Sequence, residues 1–77
     1  MHDEIASVMV HVNEYLDEHA LSSLEDEIRE EWGVVSVDHN PRHPHLLMVN
    51  YDSAIAQSSS FMHQFQDRGL HAQLVGL

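Results

Sequence analysis

Gly33-Val34-Val35-Ser36-Val37 decides the reading of this chain, and Gly69-Leu70-His71-Ala72-Gln73-Leu74-Val75 repeats it. In each stretch a glycine leads straight into alternating apolar residues. That is the signature of a helix ending in a left-handed residue and handing over to a strand. Before the first glycine lie Val8-Met9-Val10-His11-Val12 and a long amphipathic stretch. Before the second lie Leu46-Leu47-Met48-Val49-Asn50-Tyr51 and another helical stretch. The chain therefore reads as two strand–helix–strand units in succession.

The first strand alternates, with Val8, Val10 and Val12 on one face and Met9 and His11 on the other. Residues Met1 to Ala6 read as a frayed leader, and Asn13-Glu14-Tyr15-Leu16 as a turn. Asp17 can cap the following helix by accepting a backbone N–H. That helix is expected from Glu18 to Trp32, with Leu21, Leu24, Ile28 and Trp32 on one stripe. Ala20 widens the stripe, and Glu25, Asp26, Glu27, Glu30 and Glu31 fall mainly on the other side. Tyr15 and Trp32 are read as core or core-edge residues.

Strand two is expected from Val34 to His39, followed by a prolyl loop, Asn40-Pro41-Arg42-His43-Pro44-His45. Strand three puts Leu47, Val49 and Tyr51 on one face and Leu46, Met48 and Asn50 on the other. Asp52 or Ser53 caps a second helix that turns Ile55, Ser58, Phe61, Met62 and Phe65 to the core. Strand four alternates Leu70, Ala72 and Leu74 against His71, Gln73 and Val75. The order β-α-β-β-α-β predicts an α+β, ferredoxin-like sandwich. Its four-stranded antiparallel sheet has the order 4-1-3-2, with both helices on one face. The other sheet face is left open, carrying Met9, His11, Ser36, Asp38, Met48, Asn50, His71 and Gln73.

A chain of 77 residues is read as one domain with one small core. No apolar run reaches the roughly 20 residues of a membrane span. Met1-His2-Asp3-Glu4 lacks the basic and apolar regions of a signal peptide, so the expected location is cytoplasmic. There is no cysteine and no lysine, and the formal net charge is -10, which repels phosphate backbones and anionic lipids. Nucleic acid and membrane are excluded as partners by this charge. Metal cations, a basic protein partner or a homodimer remain. No phosphate-binding glycine loop, activated nucleophile or carboxylate pair in a cleft is evident, so no enzyme is expected.

Three groups of residues have metal-ligand chemistry. Asp17, Glu18 and His19 stand at the start of the first helix. His39, His43 and His45 flank or occupy the prolyl loop, with Asp38 as a further donor. His11 and His71 are expected on neighbouring strands of the open face, beside Met9 and Met48. Imidazole and carboxylate suit a divalent ion such as Zn, Ni or Cu. The plainer accounts are a helix cap with exposed neighbours, surface histidines, and a docking or dimerisation face. Helix one's acids are either a solvated face or a contact for a basic partner.

Gly33-Val34 followed by Val37, Val49-Asn50-Tyr51-Asp52 and the closing Gly69 to Val75 together resemble heavy-metal-associated domains, the small copper chaperones and the N-terminal modules of metal-pumping ATPases. The resemblance covers nearly all the chain after residue six. It implies the same ferredoxin-like fold and a metal cargo. That family holds a soft metal with two cysteines between strand one and helix one. The resemblance places those positions at about Asp17 and Ala20. With no thiolate there, it implies a divergent member that either binds a metal through His, Asp or Glu, or kept the fold as a protein-interaction or dimerisation module.

Overall fold

The alternating valines and leucines form the sheet, and the helical stripes cover it. In the computed structural model, which describes residues 4–75, the order is β1 (Ile5–Val12), α1 (Glu18–Arg29), β2 (Val34–Asn40), β3 (His43–Asp52), α2 (Ser59–Asp67) and β4 (Ala72–Val75). The strands form one antiparallel sheet in the order β2-β3-β1-β4, the same as 4-1-3-2 read from the other edge. Val10, Val12, Val37, Leu47 and Val49 are fully or almost fully buried against Leu21, Leu24, Ile28, Phe61 and Phe65. Burying one such side chain contributes roughly 1.5–3 kcal/mol. Met9 faces Met48 and Ser36 faces Asn50 on the expected open face. No helix among the described residues is long and apolar enough to cross a membrane.

Asp17 caps α1, its Oδ1 accepting from Ala20 N at 2.8 Å. The helix stops at Arg29, short of Trp32, because the chain tightens there. Glu30 N and Glu31 N reach back only three residues, to Glu27 O and Ile28 O. Trp32 therefore leaves the stripe and is 80 % exposed, not core. Gly33 follows at φ 89° and Gly69 occupies the matching position after α2 at φ 73°. A Cβ on Gly33 would lie 2.7 Å from Ala56 Cβ, whereas one on Gly69 would meet nothing within 4 Å.

Other boundaries differ from expectation for local reasons. β1 begins at Ile5, so Ile5 and Ala6 are strand, and Glu4 is tied by its carbonyl to Ser53; residues 1–3 of the expected leader lie outside the described residues. The prolyl loop is a tight hairpin, with only Pro41 and Arg42 between paired Asn40 and His43. Asn40 Oδ1 accepts from Arg42 N at 2.9 Å and closes it. Pro44 is tolerated within β3 because β1 pairs with β3 only as far as Leu46, so its missing N–H is not needed on that side. Asp52 caps a turn, accepting from Ala54 N at 2.9 Å, and α2 starts only at Ser59. Ile55 sits in that turn and is half exposed, not core. Tyr15, also expected at the core, is mostly exposed.

β2 carries an irregularity. Its pairing passes from Val34 with Tyr51 to Ser36 with Asn50, so Val35 is an extra residue pushed out of the ladder. Two residues on, the Val37 carbonyl accepts a hydrogen bond from Arg29 Nη2 at 3.1 Å.

Candidate metal centre

β1 ends, and β3 and β4 begin, at the end of the sheet where α1 starts. His45 lies there beside β1, and its Nδ1 is 2.8 Å from the Val12 carbonyl oxygen. A carbonyl only accepts, so Nδ1 carries the proton, and in the neutral ring the lone pair is on Nε2. The His11 ring stacks on His45 with centroids 6.0 Å apart and planes 22° from parallel. Tyr15 meets His45 edge-on at 6.5 Å.

His71, just before β4, is held by Glu14. Glu14 Oε2 is 2.6 Å from His71 Nδ1, and Oε1 accepts from the His71 backbone N–H at 2.8 Å. These two bonds, the ring contact first, hold the Glu14 carboxyl below the usual carboxylate range. Asn13 N donates to the His71 carbonyl at 2.9 Å and ties the β1–α1 loop to the start of β4. A carboxylate on Nδ1 likewise fixes the ring and leaves Nε2 as the available nitrogen. The open-face arrangement expected for His11 and His71 is thus divided: His11 lies against His45, and His71 is clamped by Glu14.

The remaining candidates disperse. Asp17 is occupied as the helix cap, and Glu18 and His19 are exposed on the first turn of α1. His39 points beneath α1, its Nδ1 2.7 Å from Glu25 Oε2, while His43 is exposed where β3 begins. Of the prolyl-loop histidines, His45 thus turns to β1 and His39 bonds to Glu25, while His39, His43 and Asp38 line one hollow on the open face. Among the described residues, no three His, Asp or Glu side chains are gathered closely enough to hold a metal ion as they stand.

Two features escaped the sequence. Glu25 is 6 % exposed and bridges His39 to α1. The signal was present, because Glu25 is one helical turn from both Leu21 and Ile28 and so shares their face. Glu14 and His71 are 57 positions apart, and no local pattern connects them. Elsewhere, Glu31 joins α1 to α2 by accepting from Gln64 and lying 2.8 Å from His63 Nε2. Arg68 adds a 2.9 Å ion pair with Glu27. On the open sheet face, Met9, Leu46 and Met48 line a hollow of about 410 Å³ together with Asp38, His39, Asn40 and His43.

No protein-family model and no curated protein matches the sequence. Solved structures do match in shape. Oxidized MerP from Ralstonia metallidurans CH34 superposes with a TM-score of 0.80 at 17 % identity, covering 94 % of this chain and 99 % of that one. The putative copper-ion-binding protein from Bacillus anthracis str. Ames has a TM-score of 0.78 at 19 % identity, over 90 % and 96 % of the two chains. A copper-binding domain from HMA7, a P-type ATPase, gives 0.78 at 16 % identity, over 91 % and 93 %. At such identities the likeness is one of fold: the chain has the ferredoxin-like fold of heavy-metal-associated domains, built without a cysteine.

Proposed function

We propose that this chain is a non-enzymatic, heavy-metal-associated-like domain that binds a divalent cation, Zn, Ni or Cu(II), through imidazole instead of thiolate. The ligands are His11 and His45, whose rings stack 6.0 Å apart, with His71 as the third imidazole at the same end of the sheet; the side chains must turn towards one another to meet on one ion. The observation that carries this reading is the tethering of Nδ1, in His45 by the Val12 carbonyl and in His71 by Glu14. Such a bond to the far ring nitrogen orients a metal-binding histidine and raises its basicity. The donor set fits borderline cations and does not fit a soft cuprous ion, which prefers sulfur. Glu18 and His19 are exposed donors on the first turn of α1. His39 is engaged by Glu25, and His43 lies exposed at the hairpin.

Calorimetric titration with Zn, Ni and Cu(II), followed by histidine NMR shifts, tests the reading. Micromolar or tighter binding that moves His11 and His45, and that is lost in the His11→Gln/His45→Gln variant, supports it. Affinity no better than millimolar, or shifts confined to other histidines, refutes it.

A second reading has its own observation. The hollow over Met9, Leu46 and Met48 is an apolar area on a sheet face that no helix covers. It favours an interaction or dimerisation module that kept the fold without a metal. A concentration-dependent dimer, abolished by Met48→Ser and indifferent to metal, would select it.

A further inference from the structure

Opposite the histidine end, the sheet presents apolar side chains that the core does not use. Ser53 N donates to Glu4 O at 2.7 Å and Asp52 N donates to Gly33 O at 2.8 Å. These bonds bring the start of β1, the α1–β2 turn and the β3–α2 turn to one place. The exposed large apolar residues Ile5, Trp32, Val35 and Ile55 all belong to these segments, at 49, 80, 59 and 50 % exposure. Ile55 lies directly over Gly33, 3.2 Å from where a Cβ on that glycine would stand.

None of the four belongs to the buried cluster beneath the helices, so the fold does not account for them. Val35 is exposed because the bulge turns it out, and bulges often re-aim a side chain at a working surface. Trp32 is exposed because α1 ends three residues before it. An exposed tryptophan and three exposed aliphatic residues on segments joined at one end of the domain have the composition of a protein-binding hot spot.

Charge selects the occupant. Glu30 and Glu4 are exposed, and Glu31 and Asp52 are partly so, within or next to the same segments. Arg29 and Arg68, the cations of the helix layer, are already paired with Asp26 and Glu27. Two copies of a chain with a formal net charge of -10 repel each other. We propose that this end docks a basic amphipathic segment of another protein. Its apolar residues cover Trp32, Val35 and Ile55, and its lysines or arginines meet the exposed Glu30 and Glu4 and the face of Trp32. The proposal is independent of the metal reading and lies at the other end of the molecule.

Trp32 is the only tryptophan, so its emission reports the contact directly. The probe is a synthetic peptide of alternating lysine and leucine, with a counterpart carrying glutamate for lysine. The lysine peptide is expected to shift the Trp32 emission to the blue with saturation, weakening as salt rises, and the glutamate peptide to leave it unchanged. Val35→Thr/Ile55→Ser should raise the dissociation constant at least about tenfold. Met48→Ser on the open sheet face should not. Because all the substituted residues are exposed, an unchanged circular dichroism spectrum is expected and is checked. Trp32→Ser, followed by anisotropy of the labelled peptide, should lose binding to the same degree. Equal response to both peptides, or no shift at millimolar peptide, overturns the proposal. So does indifference to Val35→Thr/Ile55→Ser, an equal loss in Met48→Ser, or a self-associated species with Trp32 buried.

Discussion

Replacing either helix-ending glycine by alanine separates backbone strain from steric crowding. Both residues have positive φ, so each substitution costs the left-handed penalty of about 1–2 kcal/mol for a side chain. Each also gains the same small offset from a less flexible unfolded chain, about 0.4–1 kcal/mol. Only Gly33→Ala places a Cβ 2.7 Å from another carbon, Ala56 Cβ, on a residue that is 5 % exposed. Crowding of that kind costs about 1–3 kcal/mol more. Urea unfolding of the two variants should therefore differ by about 1–3 kcal/mol at similar slopes, with Gly33→Ala the weaker. In heat, each kcal/mol corresponds to roughly 4–8 °C in a chain of this size. Ala56→Gly, which removes the opposing carbon, should show favourable coupling with Gly33→Ala of about 1 kcal/mol or more in a double-mutant cycle. Equal destabilisation of Gly33→Ala and Gly69→Ala, with no coupling to Ala56, would refute the close-approach argument.

Three further outcomes follow from the packing and the charges. Phe61→Ala, at a fully buried site against the Tyr51 ring, should cost about 3–5 kcal/mol and leave the chain near its folding threshold by calorimetry. Glu25→Ala should cost about 0.5–1.5 kcal/mol in urea unfolding, because it removes the hydrogen bond to the partly exposed His39. His63 is raised above the ordinary imidazole value by its hydrogen bond to Asp67 and by the charge of Glu31. Its contribution is therefore complete below the unfolded-state value of about 6.5 and is lost as pH rises through the raised folded value. The urea-midpoint gap between wild type and His63→Gln should be widest near about pH 6 and close in alkaline solution.

Much of the architecture was written in local patterns. Alternation at Val8, Val10 and Val12, the Leu21, Leu24 and Ile28 stripe, and Gly33 and Gly69 carried the element order and the sheet. Helix lengths were less legible, because apolar spacing continues past the point where backbone bonding stops. Trp32 falls on the stripe by count and leaves it when the last turn tightens after Arg29. Ile55 fits the period of α2, yet Asp52 spends its carboxylate on a turn instead of on that helix. The histidines were visible as a count and not as an arrangement. His39 to Glu25, His45 to Val12 and His71 to Glu14 are contacts of 14, 33 and 57 positions' separation, set by sheet register.

The edge of the sheet at β2 bears on what the protein does when crowded. An incoming strand needs a straight run of free backbone groups. Here Val35 interrupts the run, and Arg29 already occupies the Val37 carbonyl. At the opposite edge β4 has four residues among those described. Neither edge offers a good template for sheet-to-sheet addition, a common route by which small β-rich proteins form fibrils. Arg29, besides pairing with Asp26, therefore takes up a backbone acceptor that an incoming strand would need.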